Sequence, residues 1–199
     1  MKKIAVVEKF FEPHHQRQIE AVAAKYGYTV DYYMDGVLPE ERAGEYEIVY
    51  GMPDRKDLKS MTQLKWFCAS FASVDRYVDE ALYPHEGVLL SNSAGAYGVT
   101  IAEHILMVTL MLLRQMLPTV KAVEEKVWLP PLPVRSICGA SITVLGTGDI
   151  GTSFARRAKA MGARSICGVR RTIKPADPAF DRIVTLSDLD SVLPDTDIL

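Results

Sequence analysis

Three glycines, Gly146, Gly148 and Gly151, stand in the spacing G-x-G-x-x-G. A short apolar run, 142–145, leads into them, and a helix signal over about 149–161 leads out. The chemistry this pattern serves is the holding of a dinucleotide. The first glycine permits a tight turn out of the strand, the second lets backbone approach a pyrophosphate, and the third lets the helix pack close to the sheet. Asp149 and Ile150 complete the loop where the helix begins, and its unpaired N–H groups and positive dipole end face the phosphates. The strand before and the helix after are the context that makes the glycines informative. The following strand ends in "CGVRRT" (167–172). An acidic residue at its end would hold the ribose 2′-hydroxyl of NAD. Arg170, Arg171 and Thr172 stand there instead, and two guanidiniums suit a 2′-phosphate, so the expected cofactor is NADP in preference to NAD.

Other reactive side chains suggest less. His14 and His15 fall in the first turn of a surface helix, without the further ligands a metal needs. His85 lies in the polar turn "YPHEG", and His104 follows Glu103 on an apolar helix, where a hydrogen-bonded structural histidine is expected. No metal site is expected. Cys68, Cys138 and Cys167 lack a CxxC spacing and read as buried free thiols in a reducing compartment. The formal net charge of -2 speaks against an electrostatic nucleic-acid partner. The N-terminal apolar run ends at Glu8, too early for a signal-peptide core, so a cytoplasmic protein is expected. Segment 99–117 is apolar on almost every face. Its uninterrupted apolar stretch between His104 and Arg114 is short for a bilayer, so it reads as a helix buried on all sides, in a domain interior or a subunit interface, rather than a membrane span.

These groups need elements to position them. Strand signals at 3–7, 28–33, 47–50, 65–70 and 87–93 alternate with helix signals at 13–27 and 57–64. Such alternation predicts a parallel sheet covered by helices. The helix at 99–117 follows, then a proline-broken connector over 118–140. A second unit begins with a strand at 142–145, a helix at about 149–161 and a strand at about 164–170. The end reads as a short helix capped by Ser187, with "DIL" (197–199) opening a strand. The join between the two units falls near 94–98.

Taken together, "FASVDRYV" (71–78), "GVLLSNSAGAYGVTIAEHILMVTLMLLR" (87–114), Trp128 and "SICGASITVLGTGDIG" (136–151) resemble the D-isomer-specific 2-hydroxyacid dehydrogenase family. The resemblance runs along essentially the whole chain. It implies an α/β fold: a flavodoxin-like parallel-sheet domain over 1–96 and the first half of a Rossmann dinucleotide-binding domain over 97–199. It implies hydride transfer between a nicotinamide cofactor and a small 2-oxo or 2-hydroxy acid. Backbone N–H groups near Ala72 and Ser73 would hold the substrate carboxylate, the loop at Gly51 and Met52 would line the same cleft, and Thr100 would sit near the nicotinamide. Ser73 replaces the family's usual glycine. The family's catalytic arginine, glutamate and histidine lie further along than Leu199, so the expectation is a truncated chain with no catalytic residue of its own and little activity alone. Glu103 corresponds to the family's helix glutamate and is read as structural. A homodimer through the helix at 99–117 is expected. The competing reading is a non-catalytic dinucleotide-binding or dimerisation protein.

Overall fold

The β-branched residues of "KKIAVV" favour a strand, β1 (Lys2–Val7), whose last three residues, Ala5, Val6 and Val7, are all buried. It is the pivot of the first of two units, 1–94 and 95–199, into which internal contacts divide the chain. The computed structural model describes residues 2–175 and 177–199. Around β1 lie α1 (Pro13–Lys25), β2 (Tyr28–Tyr33), α2 (Glu40–Ala43), β3 (Ile48–Gly51), α3 (Arg55–Ser60), β4 (Trp66–Ala69) and β5 (Leu89–Ser91). The strands are all parallel, in the order β2-β1-β3-β4-β5. This order reverses direction beside β1, the flavodoxin-like arrangement.

Local signals set the helix ends. Pro13 opens α1, and Gly27 follows it with φ of 75°, a left-handed position that glycine adopts at little cost. The helix expected at 57–64 starts earlier and is shorter, because the Asp54 carboxylate accepts the Lys56 N–H (3.2 Å) and fixes the start at Arg55. One core covers one face of the sheet, where Val49, Phe67, Leu58, Met61 and Leu64 are fully buried beside Tyr46. Tyr46 donates its hydroxyl to Asp31 (2.9 Å), which Arg42 also binds (2.7 Å), so the buried phenol is satisfied.

The second unit comprises α4 (Gly98–Leu113), α5 (Met116–Glu125), β6 (Ser141–Leu145), α6 (Asp149–Ala160), β7 (Ser165–Arg170), β8 (Arg182–Thr185) and α7 (Leu189–Val192). Strands β6, β7 and β8 form a parallel sheet in that order. Ile198 adds a parallel bridge to Ile142, so the expected strand opening at "DIL" is present as a single bridge on the outer edge of β6. Strand β8 was not visible in the sequence, since "RIVT" is too short to show a period.

Three expectations for this unit change. The helix read at 99–117 ends at Leu113, and Gln115, with φ of 54°, breaks the chain into α5 at a bend of 68°. Part of the supposed irregular connector is therefore helical, and Pro118 is tolerated because it lies in the first turn of α5, where N–H groups lack intrahelical partners. Nor is α4 buried on all sides within the chain itself. Ala102 is fully buried, and Ile105, Leu106, Leu110 and Leu113 face the core, but Met107 and Leu112 are 48% and 63% exposed. The core lies along one face of the helix and leaves the other uncovered. A 3-10 turn, Leu186–Asp188, precedes α7, and Thr185, not Ser187, caps that turn: the Thr185 hydroxyl and N–H both donate to the Asp188 carboxylate (2.6 and 3.0 Å). Among the described residues no single helix is long and apolar enough to cross a membrane.

The thiols also differ from expectation. Only Cys167 is buried, Cys68 is half-buried and Cys138 is exposed; all three are free. Burial pushes the Cys167 thiol above its ordinary pKa.

Candidate dinucleotide-binding site

The carboxyl ends of β6 and β7 frame a groove of about 520 Å³. Ligands in open parallel sheets bind at this end of the strands. The chain leaves β6 through Gly146, whose φ of 105° is strained for any other residue. A methyl group on Gly151 would fall on the Gly146 carbonyl oxygen, so the third glycine is required for the helix to pass behind the loop. A methyl group on Gly148 would instead meet open space, and this is the floor of the groove. The three glycines thus do different work. Gly146 and Gly151 shape the turn, and Gly148 leaves room for a ligand.

Two features match a phosphate-bearing guest. Gly148 caps α6, so the first N–H groups of a 12-residue helix open beside the groove. Thr147, between the first two glycines, has a buried hydroxyl with no hydrogen-bond partner in the structure. An orphaned donor of this kind is costly unless something completes it. The sequence reading missed the residue that seats Thr147. Gly168, mid-strand in β7, has no room for a side chain: a methyl group there would collide with the Thr147 methyl, Ile183 and Phe180. A glycine inside a strand was the available signal.

The far wall carries the charge. Arg170, Arg171 and Thr172 line the groove opposite the glycine loop, with Leu145, Val169 and Leu186 as apolar surface. No carboxylate is ion-paired with either arginine among the described residues. The neighbouring cations are already engaged. Arg156 pairs with Asp177 and Lys159 with Asp181, and each cation holds its partner carboxyl below the usual carboxylate range. Asp181 also accepts the Ile166 N–H (2.8 Å), which ties the β7–β8 connection to the start of β7.

The remaining residues singled out from sequence lie elsewhere. Asp149 begins α6, but its carboxylate rests against Gly98 at the start of α4. Ile150 is 37% exposed on the first turn of α6. Thr100 sits in the first turn of α4 and donates its hydroxyl to the Tyr97 carbonyl (3.3 Å). Glu103 pairs with Arg157 (3.7 Å), linking α4 to α6, which agrees with a structural role. His104, expected to be buried and hydrogen-bonded, is exposed, because it falls on the uncovered face of α4.

In the first unit, Gly51 ends β3 with Met52 after it, and Ala72 and Ser73 follow β4, both at the carboxyl edge of the sheet. The Met52 N–H donates to Val7 (2.8 Å), the Ala72 carbonyl accepts from Asn92 (2.6 Å), and the Ser73 hydroxyl donates to Asp75 (2.9 Å).

Comparison with known proteins agrees with this geometry. Residues 106–199 match the model of the D-isomer specific 2-hydroxyacid dehydrogenase NAD binding domain. The chain is 23% identical over 205 residues to a glycerate dehydrogenase of Methylorubrum extorquens, covering 98% of this chain and 58% of that protein. Its fold matches a D-isomer specific 2-hydroxyacid dehydrogenase family protein from Aeromonas salmonicida with a TM-score of 0.83 at 24% identity, over 99% of this chain and 62% of that one. It also matches a glyoxylate reductase from Paecilomyes thermophila with a TM-score of 0.74 at 18% identity, over 98% and 63% respectively. The chain therefore spans about three fifths of the length of these relatives. The homologues are oxidoreductases, and the NAD binding domain implies a nicotinamide dinucleotide cofactor.

Proposed function

We propose, on the footing that residues 106–199 match the NAD binding domain model of the D-isomer specific 2-hydroxyacid dehydrogenases, that the chain belongs to that family and binds NADP in preference to NAD. We propose further that it serves the interconversion of a small 2-hydroxy acid and its 2-oxo acid. The observation that carries the reading is the groove at the ends of β6 and β7, with backbone donors on one wall and two unengaged guanidiniums on the other. The bound cofactor would supply a hydride acceptor or donor. The chain's own contribution is to hold it. Backbone at Gly146–Gly148 and the start of α6 receive the pyrophosphate, the Thr147 hydroxyl gains the acceptor it lacks, and Arg170, Arg171 and Thr172 meet the 2′-phosphate. Leu145, Val169 and Leu186 offer apolar surface to a base.

The substrate carboxylate is assigned to the loops carrying Gly51, Met52, Ala72 and Ser73, with Thr100 near the nicotinamide. None of the four histidines lines this groove, so none is assigned as the group that exchanges a proton with the substrate oxygen. The 199-residue chain by itself is therefore proposed to bind cofactor without appreciable turnover. The uncovered apolar face of α4, with Met107 and Leu112, supports a homodimer, and the three free thiols support a cytoplasmic setting.

Titration of the chain with NADPH and NADH in a calorimeter tests the reading. Binding of NADPH at least about tenfold tighter than NADH is expected, from one charge-assisted contact of about 1.5 kcal/mol or more. Equal affinities would remove the NADP preference, and binding of neither would remove the cofactor assignment.

A further inference from the structure

Asp149 is the first residue of α6, directly after the Gly148 cap. A carboxylate at this position sits where a bound pyrophosphate would approach, and two like charges a few ångströms apart repel. Yet Asp149 does not line the groove. A methyl group built on Gly98 would overlap Cγ and both carboxylate oxygens of Asp149. The carboxylate is thus packed directly against Cα of Gly98, the first residue of α4. No side chain from α4's own flank caps that helix. Its unpaired first-turn N–H groups and positive dipole end favour a negative charge there. Helices α4 and α6 are joined a turn or more further on by Glu103 and Arg157 (3.7 Å), and they share a core of small residues, Ala102, Ala155 and Ala158.

We infer that Gly98 is a seat for the Asp149 carboxylate. The missing side chain at 98 lets the start of α4 draw this charge away from the dinucleotide groove, which makes Asp149 a positioning residue and Gly98 its receptor. The seat itself is independent of any ligand; its effect on affinity rests on the proposed cofactor assignment. Gly98 thereby has a purpose that helix propensity does not give it, since alanine would otherwise be preferred in a helix.

The test is a double-mutant cycle on Gly98→Ala and Asp149→Ala, read by thermal unfolding and by NADPH titration. Gly98→Ala displaces the carboxylate. It is expected to lower the Tm by about 2–4 °C, the shift that accompanies a modest overpacking in a chain of this size. It is also expected to weaken NADPH binding about fivefold or more, as the freed charge turns toward the groove. Asp149→Ala is expected to lower the Tm by a similar amount while leaving NADPH affinity equal to the parent or tighter. In the double variant, adding Gly98→Ala should cost no further Tm, and NADPH affinity should return to that of Asp149→Ala alone. Asp149→Asn keeps the size and removes the charge; in the Gly98→Ala background it should restore affinity as well. A neutral or stabilising Gly98→Ala, or additive Tm losses in the double variant, would overturn the seat. If the parent chain binds no NADPH, the cofactor assignment fails, and the Tm cycle still decides the seat.

Discussion

The two units each place a glycine where a parallel strand ends, and the two glycines do opposite things. In the first unit Gly51 closes β3 with φ of 113°, and a methyl group there would strike the Val7 carbonyl of the neighbouring strand. The backbone is pulled in so tightly that the next N–H, of Met52, donates to that same carbonyl (2.8 Å). In the second unit Gly146 turns the chain with φ of 105° and meets nothing nearby, and Gly148 faces open space. One glycine fills the end of its strand with backbone, and the others leave theirs open. The same residue type at the carboxyl end of a parallel strand therefore signals packing in one unit and a binding groove in the other.

The largest effects that test this contrast are on folding. Gly51→Ala combines a left-handed φ with a backbone collision and should destabilise the chain by about 2–4 kcal/mol. Guanidinium titration should show this loss, while NADPH affinity, measured below the transition, stays within twofold of the parent. Gly151→Ala should cost a similar amount and also abolish measurable NADPH binding, because the collision is with the Gly146 carbonyl inside the loop. Equal loss of binding in both variants would break the distinction between the two glycines.

Gly148→Val probes the empty side. With nothing near the added side chain, the Tm should move by less than about 2 °C, since surface substitutions change little. NADPH affinity should fall at least about tenfold, since the side chain occupies the space assigned to the pyrophosphate. A variant that binds normally would show that the groove floor is not used. Arg171→Ala should weaken NADPH about tenfold and NADH less than twofold, with a shallower salt dependence for NADPH. Arg170→Ala should act in the same direction.

The smallest effect returns to the first unit. Asp57 is buried in α3, and its removal from water pushes its carboxyl above the ordinary range. A folded pKa above the unfolded one means that the ionised form opposes folding. Asp57→Asn should thus raise the Tm at pH 7 by about 1–2 °C, with the gain vanishing below the unfolded carboxyl pKa of about 3.9. A Tm unchanged at pH 7 would show that water reaches the carboxylate.

Sequence order alone carried the parallel strands of both units except β8, the glycine loop and the arginines after β7, because these rest on short-range patterns: period, spacing and local charge. It also carried the family resemblance, through motifs spread along the chain. Tertiary contacts decided the rest. The break at Gln115 and the bare face of α4 could not be read from an apolar run, since hydropathy does not say which side has a neighbour. The need for glycine at 98 arises from Asp149, and at 168 from Thr147, Ile183 and Phe180, and chain order does not say which of these atoms meet. Whether a glycine at the end of a strand is a hinge, a packing point or a vacancy depends on which atoms the rest of the fold brings to within 4 Å of it, and only the assembled sheets and helices fix that.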